Sequence, residues 1–284
     1  MSDPGGTLWV VATPIGNLED LSARARLVLA HVAAIAAEDT RHTRQLLMHC
    51  GIGTPLLALH GHNEAAQTPV LVARLQRGED LALVSDAGTP LLSDPGYLLV
   101  RAARAAGLRV TPVPGPSALV AALSVAGLPC TRFVFEGFLP AAAGARRNRL
   151  RELAAETRTL VFYEAPHRLL STLEDLQRVL GMERELTVAR ELTKPYEEFW
   201  KGTVQSALVE SEKGRFRGEL VLVLAPGGPR QPVRLSPTSD AFWSALVALV
   251  SEYVDQGLSD TDAIRRVASQ FRVPRRAVYN RVHS

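Results

Sequence analysis

The sequence predicts an α/β protein with two α/β halves and a small C-terminal helical domain. Short apolar runs, typical of strands buried on both faces, alternate with stretches of helical periodicity over most of the chain. A rigid Pro-Gly-Pro turn at 114–116 divides the alternation in two, because each proline fixes its own φ angle. A proline-rich stretch then leads into a basic tail. The predicted regions are two α/β domains at 1–116 and 117–228, a linker at 229–239 and a helical domain at 240–284.

Each apolar run of the first half is followed by a predicted helix. Strands are expected at Leu8–Ala12, Ala33–Ala37, Pro55–Leu59, Leu81–Val84 and Leu108–Val113, and helices at 22–31, 41–50, 65–77, 97–107 and 118–127. Two turn signals, Ala87–Pro90 and Ser93–Gly96, follow the fourth strand. The carboxyl ends of strands border the ligand crevice in an open α/β sheet. This connection is therefore either a ligand site or a tight turn that binds nothing, since Gly, Pro and Asp are ordinary turn residues.

The alternation continues in the second half and ends in a helical tail. Strands are expected at 132–138, 159–163, 185–190, 198–201 and 218–225, with helices at 144–156 and up to Leu180. Tail helices are expected at 241–253, 261–271 and 275–282, the second capped by Ser259-Asp260 and the third started by Pro274. The last two helices resemble a helix-turn-helix, with a lid or a dimer element as the alternative.

Composition excludes several classes of protein. At 284 residues, with 46% hydrophobic and 21% charged, the chain is long enough for a full core in two domains. Cys50 and Cys130 lack the spacing of a zinc site or a disulfide framework, and the N-terminus lacks signal-peptide features. The uncharged stretch Val110–Thr131 is broken by prolines, which excludes a membrane span. We expect a soluble cytoplasmic protein.

The basic excess of the chain lies in its tail. Residues 230–284 contain eight Arg, no Lys and five acidic residues, a net charge of +3, which leaves 24 basic and 24 acidic residues elsewhere. Between Ala263 and Ser284 there are no acidic residues and six Arg, at 265, 266, 272, 275, 276 and 281. This pattern favours a polyanion partner over an ordinary solvated surface.

Polar residues are concentrated directly after two predicted strands, at Glu38–Arg44 and Glu164–Arg168. Helix capping explains one or two residues of the first cluster, whereas acid, base and hydroxyl together at a strand end are more typical of a site. His167 is explained equally well as a capping or packing residue at a helix start. Neither GxGxxG nor GxxxxGK[ST] occurs, and the acids are not spaced as metal ligands. We therefore expect no dinucleotide, no P-loop nucleotide and no bound metal.

Six motifs occur in a fixed order between Thr13 and Lys194, within a resemblance that covers about Leu8 to Pro226: TPIGNLED, EDTRHT, SDAGTPLLSDPG, PGPSA, EAPHR and ARELTK. Together they resemble the tetrapyrrole-methylase superfamily of S-adenosylmethionine-dependent enzymes. SDAGTP and TPIGN differ from the turns of the corrin-type members and favour the subgroup that methylates the 2′-oxygen of cytidine 1402 in bacterial 16S ribosomal RNA. The resemblance implies the class III methyltransferase fold, with S-adenosylmethionine in a cleft between two α/β domains.

The resemblance also implies which residues contact the cofactor, largely through backbone atoms at strand ends. The matching positions are Pro14, Asp86, Ala87, Gly88, Thr89, Pro90, Ser117, Ala118, Tyr163, Ala189 and Pro226. A nucleoside with an aminoacyl arm needs turn amides, apolar walls and a few polar groups, which these residues supply. Taken singly, Tyr163 could be an ordinary strand aromatic and Ser117 a helix N-cap.

Methyl transfer to a ribose requires an aligned 2′-oxygen and an acceptor for its proton. Positioning lowers the activation barrier by up to about 7–11 kcal/mol in well-oriented reactions. A general base accelerates a reaction by roughly 10²–10⁴-fold, which corresponds to a smaller reduction of the barrier. Orientation of the 2′-oxygen should therefore dominate. The catalytic candidates are Lys194, Glu164 and Asp39, and Lys194 or a nearby carboxylate is the expected base. Further candidates for alignment or proton transfer are Glu38, Arg41, His42, His167, Arg190 and Glu191. A guanidinium group can donate two parallel hydrogen bonds to two oxygens of one phosphate. Substrate contacts are expected from Arg41, His42, Arg168, Arg190, Arg275 and Arg276.

Three functions remain open on the sequence. A 2′-O-methyltransferase for 16S ribosomal RNA in the small subunit, expected to be a homodimer, explains both the cleft motifs and the basic tail. A small-molecule methyltransferase of tetrapyrrole type leaves the tail without a role. A helix-turn-helix regulator would use the α/β part only to sense a ligand.

Overall fold

The computed structural model describes residues 5–227, 240–255, 258–271 and 273–283. The chain forms two compact units, Met1–Gly227 and Gly228–Ser284. The predicted linker at 229–239 lies outside the described residues. Among the helices that are described, none is long and apolar enough to cross a bilayer.

The first half of the larger unit is built on a parallel sheet with the strand order β3-β2-β4-β1-β5. Its strands are β1 (Thr7–Val11), β2 (Ala34–Ala37), β3 (Leu56–Ala58), β4 (Leu81–Val84) and β5 (Arg109–Val113). The helices are α1 (Ala23–His31), α2 (Thr40–His49), α3 (Glu64–Gln76) and α4 (Tyr97–Ala105). Helical crossovers between successive strands keep neighbouring strands parallel, so the carboxyl ends of all five meet at one edge. The next helix, α5 (Ala118–Val125), follows β5 and packs on the second sheet, against Val161 and Val221.

The interior of this sheet confirms the prediction of strands buried on both faces. Every residue of β4 is buried. Leu81 and Leu83 belong to one hydrophobic cluster, and Ala82 and Val84 belong to another. Alternate residues of a strand point to opposite faces, so β4 has helices packed on both sides.

The second half is built on a mixed sheet with the order β6-β7-β10-β8-β9. Its strands are β6 (Phe133–Phe138), β7 (Thr159–Glu164), β8 (Glu185–Arg190), β9 (Glu198–Thr203) and β10 (Leu220–Leu224). The helices are α6 (Ala143–Glu152), α7 (Pro166–Leu180) and α8 (Val204–Glu212). Strand β10 runs antiparallel to both neighbours, with Leu220 opposite Glu164 and Arg190. The start of β10 therefore lies beside the ends of β7 and β8.

Two features of the second half differ from the predicted pattern. Helix α8 was not predicted, although a capping box between Thr203 and Ser206 marks its start. The helix expected at 144–156 ends at Glu152 and continues as a short 3-10 turn, Leu153–Ala155.

Two arginines of helix α6 are paired with acidic residues of their own half. Arg146 Nε lies 2.8 Å from Asp175 Oδ2 on α7, and both side chains are buried. Arg149 pairs with Glu136 at 2.7 Å. A buried charge is tolerated only when it is paired, so the Arg146–Asp175 contact ties α6 to α7 within this half.

The smaller unit consists of α9 (Asp240–Asp255), α10 (Asp260–Phe271) and α11 (Arg275–Val282). Apolar residues from all three helices form its core, including Leu246, Ile264 and Val278. Ser259 Oγ accepts a hydrogen bond from the Asp262 amide at the start of α10, as the capping prediction requires. Of the six tail arginines, Arg272 lies outside the described residues.

Candidate active site

Loops from three strands of the first sheet converge at its carboxyl edge. Thr13, after β1, exchanges backbone hydrogen bonds of 2.9 and 3.0 Å with Gly88, after β4. Thr89 Oγ1 donates to the Pro116 carbonyl at 3.0 Å. Gly88 has a φ of +82°, which glycine adopts without strain. The three loops are therefore tied together as one surface.

A cleft of about 400 Å³ lies where this surface faces the second half. Such a volume falls within the range of small-molecule sites, about 300–1,000 Å³. Apolar side chains from both halves line it, and these are Ile15, Leu92, Ala118, Phe138, Leu192, Leu220 and Val221.

Tyr163, at the end of β7, anchors the second-half wall of the cleft. Its hydroxyl accepts a hydrogen bond from the Leu119 amide at 3.2 Å, at the start of α5. Its ring packs edge-on against Phe135 and Phe138, with centroid distances of 4.9 and 5.7 Å. Burial raises the pKa of the Tyr163 hydroxyl, so the residue stays neutral. Tyr163 therefore serves as a fixed, half-buried wall.

The polar part of the lining is acidic. It contains Glu38, Asp86, Asp94, Glu164 and Glu219, and none of the described lining residues is Lys, Arg or His. Glu164 is paired with Arg168 at 3.5 Å and Glu219 with Lys194 at 3.0 Å. The other three acids have no ion pair among the described residues, and desolvated carboxylates without a counter-ion are unfavourable. Their side of the cleft is therefore electrostatically suited to a cationic ligand.

Three of these acids lie near one another on the first-half side. Asp86 Oδ1 accepts a hydrogen bond from the Asp39 amide at 2.9 Å. Burial raises the pKa of Glu38, and the nearby charges of Asp94 and Asp86 add to the effect. Burial also raises the pKa of Asp94. Glu38 therefore lines the cleft and has a carboxylate that is a stronger base than that of an ordinary glutamate.

The other catalytic candidates are held by partners. Glu164 is buried, with Oε1 accepting from the Ala165 amide at 2.9 Å and Oε2 accepting from the Thr172 hydroxyl. Although burial opposes it, hydrogen bonds to Glu191 and Glu219 raise the pKa of Lys194, which keeps its ammonium group charged. Hydrogen bonds from Arg41 hold the pKa of Asp39 well below its usual range. A protonated lysine and a weakly basic carboxylate are both poor proton acceptors.

The predicted RNA-contacting residues fall into two groups. Arg41 and His42 are exposed in the first turn of α2, close in sequence to Glu38. Arg168 and Arg190 are partly buried and engaged within the fold: Arg168 Nη2 donates to the Leu139 carbonyl and its Nε lies 3.5 Å from Glu164, and Arg190 Nε donates to Glu198 at 3.2 Å. Arg275 and Arg276 are exposed at the start of α11, in the smaller unit.

The predicted cofactor residues divide between the cleft wall and its surroundings. Asp86, Ala87, Gly88, Thr89, Ala118 and Tyr163 line the cleft, whereas Pro14, Pro90, Ser117, Ala189 and Pro226 do not. Ala189 is fully buried in a cluster that packs against Ala118 and Tyr163. Pro226 follows the far end of β10, because Leu224 pairs with Leu160 and Leu186 at the starts of β7 and β8. The antiparallel direction of β10 therefore places Glu219, rather than Pro226, at the cleft.

Sequence reasoning also missed several residues of the lining. Asp94 and Leu92 lie within the quoted SDAGTPLLSDPG motif, which was the signal available for them. Leu192 follows β8 inside the ARELTK motif. Glu219 and Leu220 had no such signal, because strand direction is not encoded in an apolar run.

Comparison with known proteins agrees with this architecture. Residues 7–208 match the family described as Tetrapyrrole (Corrin/Porphyrin) Methylases. A relative from Xylella fastidiosa (strain Temecula1), named Ribosomal RNA small subunit methyltransferase I, is 53% identical over 98% of this chain and 99% of its own. A protein of the same name from Pseudomonas aeruginosa is 56% identical over 78% of this chain and 79% of its own.

A solved structure shares the fold of the larger unit. A uroporphyrin-III C-methyltransferase from Thermus thermophilus, crystallised with S-adenosylhomocysteine, has a TM-score of 0.54 and 19% identity, and the match covers 78% of this chain and 97% of that one. The match to the Xylella relative covers 98% of this chain. The two sheets around one cleft agree with the family that this match indicates. The chain belongs to the tetrapyrrole (corrin/porphyrin) methylase family and, within it, to the ribosomal RNA small subunit methyltransferase I proteins.

Proposed function

We propose that the protein uses S-adenosylmethionine to methylate the 2′-oxygen of cytidine 1402 in 16S ribosomal RNA of the small subunit. The observation that carries the proposal is the end-to-end match to the Xylella relative, which includes the helical unit as well as the α/β unit. A methyltransferase of small tetrapyrroles would give the basic helical unit no role. A cytoplasmic homodimer is part of the proposal.

The residues of the cleft fit this cofactor. S-adenosylmethionine has a sulfonium and an ammonium group, and both suit a lining with acids and no base among its described residues. Ile15, Leu192 and Val221 offer apolar contact for a nucleoside, and the Ala87–Thr89 turn offers backbone groups. When bound, the cofactor supplies a methyl group already activated for transfer by the positive sulfur.

Glu38 is the residue best placed to accept the proton of the 2′-hydroxyl. With the cofactor bound, its sulfonium would supply the methyl group to the 2′-oxygen, and the Glu38 carboxylate would accept the hydroxyl proton. Glu38 lines the cleft and has a raised pKa. A base with a pKa nearer the working pH is more effective in such a transfer.

Asp86→Ala should weaken cofactor binding without unfolding the protein. The variant removes one negative charge from the lining and the acceptor for the Asp39 amide. We expect the Kd for S-adenosylmethionine to rise about tenfold, or about 1.4 kcal/mol, in titration calorimetry. Asp20→Ala, at an exposed position of the same half, is the control. Unchanged affinity in a folded Asp86→Ala protein would remove Asp86 from the site.

Substrate choice can be tested directly with the purified protein. Methyl transfer from labelled S-adenosylmethionine is measured with small ribosomal subunits that lack the modification and with a uroporphyrinogen. We expect label only in the RNA of the subunits. Label in the tetrapyrrole and none in RNA would contradict the proposal.

A further inference from the structure

Two loops at the cleft contain non-glycine residues in the left-handed backbone region. Leu91 and Ser93, between β4 and α4, have φ angles of 74° and 78°. Glu191 and Thr193, between β8 and β9, have φ angles of 51° and 65°. Within the described part of the chain no other non-glycine residue has a positive φ. Such strain persists where the surroundings impose it, often at functional sites.

Each of these loops reaches across to the other half and packs against a glycine. Ser93, from the first half, meets Gly137 at a bulge in β6, where a Cβ would lie 2.5 Å from Ser93 Oγ. Thr193, from the second half, meets Gly16 after β1, where a Cβ would lie 2.8 Å from Thr193 Oγ1 and 2.9 Å from the Leu192 carbonyl oxygen. Real Cβ atoms essentially never approach other atoms within 3.0 Å.

The two contacts are reciprocal and border the cleft. Leu92 and Asp94 flank Ser93 in the lining, and Phe138 follows Gly137. Ile15 precedes Gly16 and Leu192 precedes Thr193, and both are lining residues. The cleft walls therefore approach each other closely at two points, one at the Leu192 backbone carbonyl beside Gly16 and one at the Ser93 hydroxyl beside Gly137.

Both strained loops are anchored within their own half. The Glu64 carboxylate accepts hydrogen bonds from the Gly96 and Leu98 amides at 3.0 and 2.7 Å, which fixes the end of the first loop. Glu191 Oε1 accepts from Lys194 Nζ and from the Glu219 amide, at 3.0 and 2.9 Å. With both loops anchored, a Cβ at Gly16 must push back the Leu192 carbonyl. A Cβ at Gly137 must turn the Ser93 hydroxyl aside and sit on a backbone with a φ of +62°, which favours glycine.

We propose that Gly16 and Gly137 are positioning residues that set the width of the cofactor cleft by allowing these two loops to pack without a side chain between them. The inference rests on the cofactor site proposed above. A wider cleft separates the apolar wall of one half from the acidic lining of the other, so it weakens binding of a ligand that touches both.

Gly16→Ala tests the inference, with Gly53→Ala as the control. Neither glycine has a positive φ, and a Cβ on Gly53 meets nothing within 4 Å. In calorimetry with S-adenosylmethionine and with S-adenosylhomocysteine, we expect Gly16→Ala to raise both Kd values at least tenfold and Gly53→Ala to leave them unchanged. Kinetically, the KM for the cofactor should rise more than kcat falls, which a general loss of stability would not produce.

A second variant tests the inference without adding a side chain to a close contact. Ser93→Gly removes the side chain that wedges against Gly137 and suits the left-handed backbone, so it should fold at least as stably as the parent. We expect severalfold weaker cofactor binding, because the loop bearing Leu92 and Asp94 loses its fixed position. Parental affinity in Ser93→Gly, or in a folded Gly16→Ala, would overturn the inference. Wild-type protein that binds neither ligand would instead contradict the cofactor proposal itself.

Discussion

Glu38→Gln should lower kcat for methyl transfer by about 10²–10⁴-fold, the contribution typical of a general base. The amide keeps the size of the side chain but cannot accept the 2′-hydroxyl proton. Asp86 and Asp94 still supply negative charge to the lining, so we expect the Kd for S-adenosylmethionine to change less than tenfold. Single-turnover rates with modification-free small subunits, together with calorimetry, separate the two effects.

The pH profile gives an independent readout of the same residue. A base must be ionised to act, so the rate should rise with pH as Glu38 loses its proton. Because burial and the charges of Asp94 and Asp86 raise the pKa of Glu38, this rise should lie above the ordinary range of a glutamate. Glu38→Asp should keep a rise of this kind and part of the activity, and Glu38→Gln should lose it.

Matched variants show whether the effect belongs to Glu38. Glu174→Gln, at an exposed position on α7, should behave as the parent. Lys194→Ala should reduce kcat far less than Glu38→Gln, because the Lys194 ammonium is already protonated and paired with Glu191 and Glu219. Parental turnover in Glu38→Gln and a severe loss in Lys194→Ala would reverse the assignment.

Reversing two charges on the helical unit should weaken RNA binding by at least tenfold at low salt. Arg275 and Arg276 are exposed at the amino end of α11, where the helix dipole also favours a phosphate. Removing an arginine that binds a phosphate should reduce the slope of log K against log[salt] by about 0.7–0.9. The Arg275→Glu/Arg276→Glu double variant should therefore bind small subunits more weakly and with a shallower salt dependence.

A charge reversal of equal size on the other unit is the control. Arg101 and Arg104 are exposed on α4, and reversing both changes the net charge by the same amount. We expect this control to keep the parental salt slope. If the helical unit is a lid or a dimer element, the Arg275/Arg276 variant should change cofactor affinity or oligomeric state and leave the slope unaltered, which would exclude the RNA-contact assignment.

The part of the site on the parallel sheet could be predicted from the sequence, because consecutive residues along the chain encode it. A strand followed by a glycine-containing turn and a helix fixes both the strand direction and the edge at which the turn lies, and Asp86 and Gly88 line the cleft for that reason. The mixed sheet of the second half has no such rule. An apolar run such as Leu220–Leu224 pairs in either direction, so Glu219 at its start could not be placed beside Tyr163.

The partners of charged side chains also could not be predicted from the sequence. Arg168 and Arg190 have the right charge for phosphate, yet a backbone carbonyl and Glu198 engage them within the fold. Arg146 follows the same pattern with Asp175, which lies 29 residues further along the chain. Long-range partners of this kind depend on how α6 packs against α7. The pKa of Glu38 likewise depends on Asp94, a residue brought close only by the fold.

Position-resolved mapping of the product tests the central claim most directly. Small subunits that lack the modification are incubated with the protein and S-adenosylmethionine, and 2′-O-methylation is mapped along 16S ribosomal RNA by primer extension at low nucleotide concentration. We expect one new stop, at cytidine 1402, with the wild-type protein and a much weaker one with Glu38→Gln. A methyl group on a base, or on a different ribose, would contradict the account.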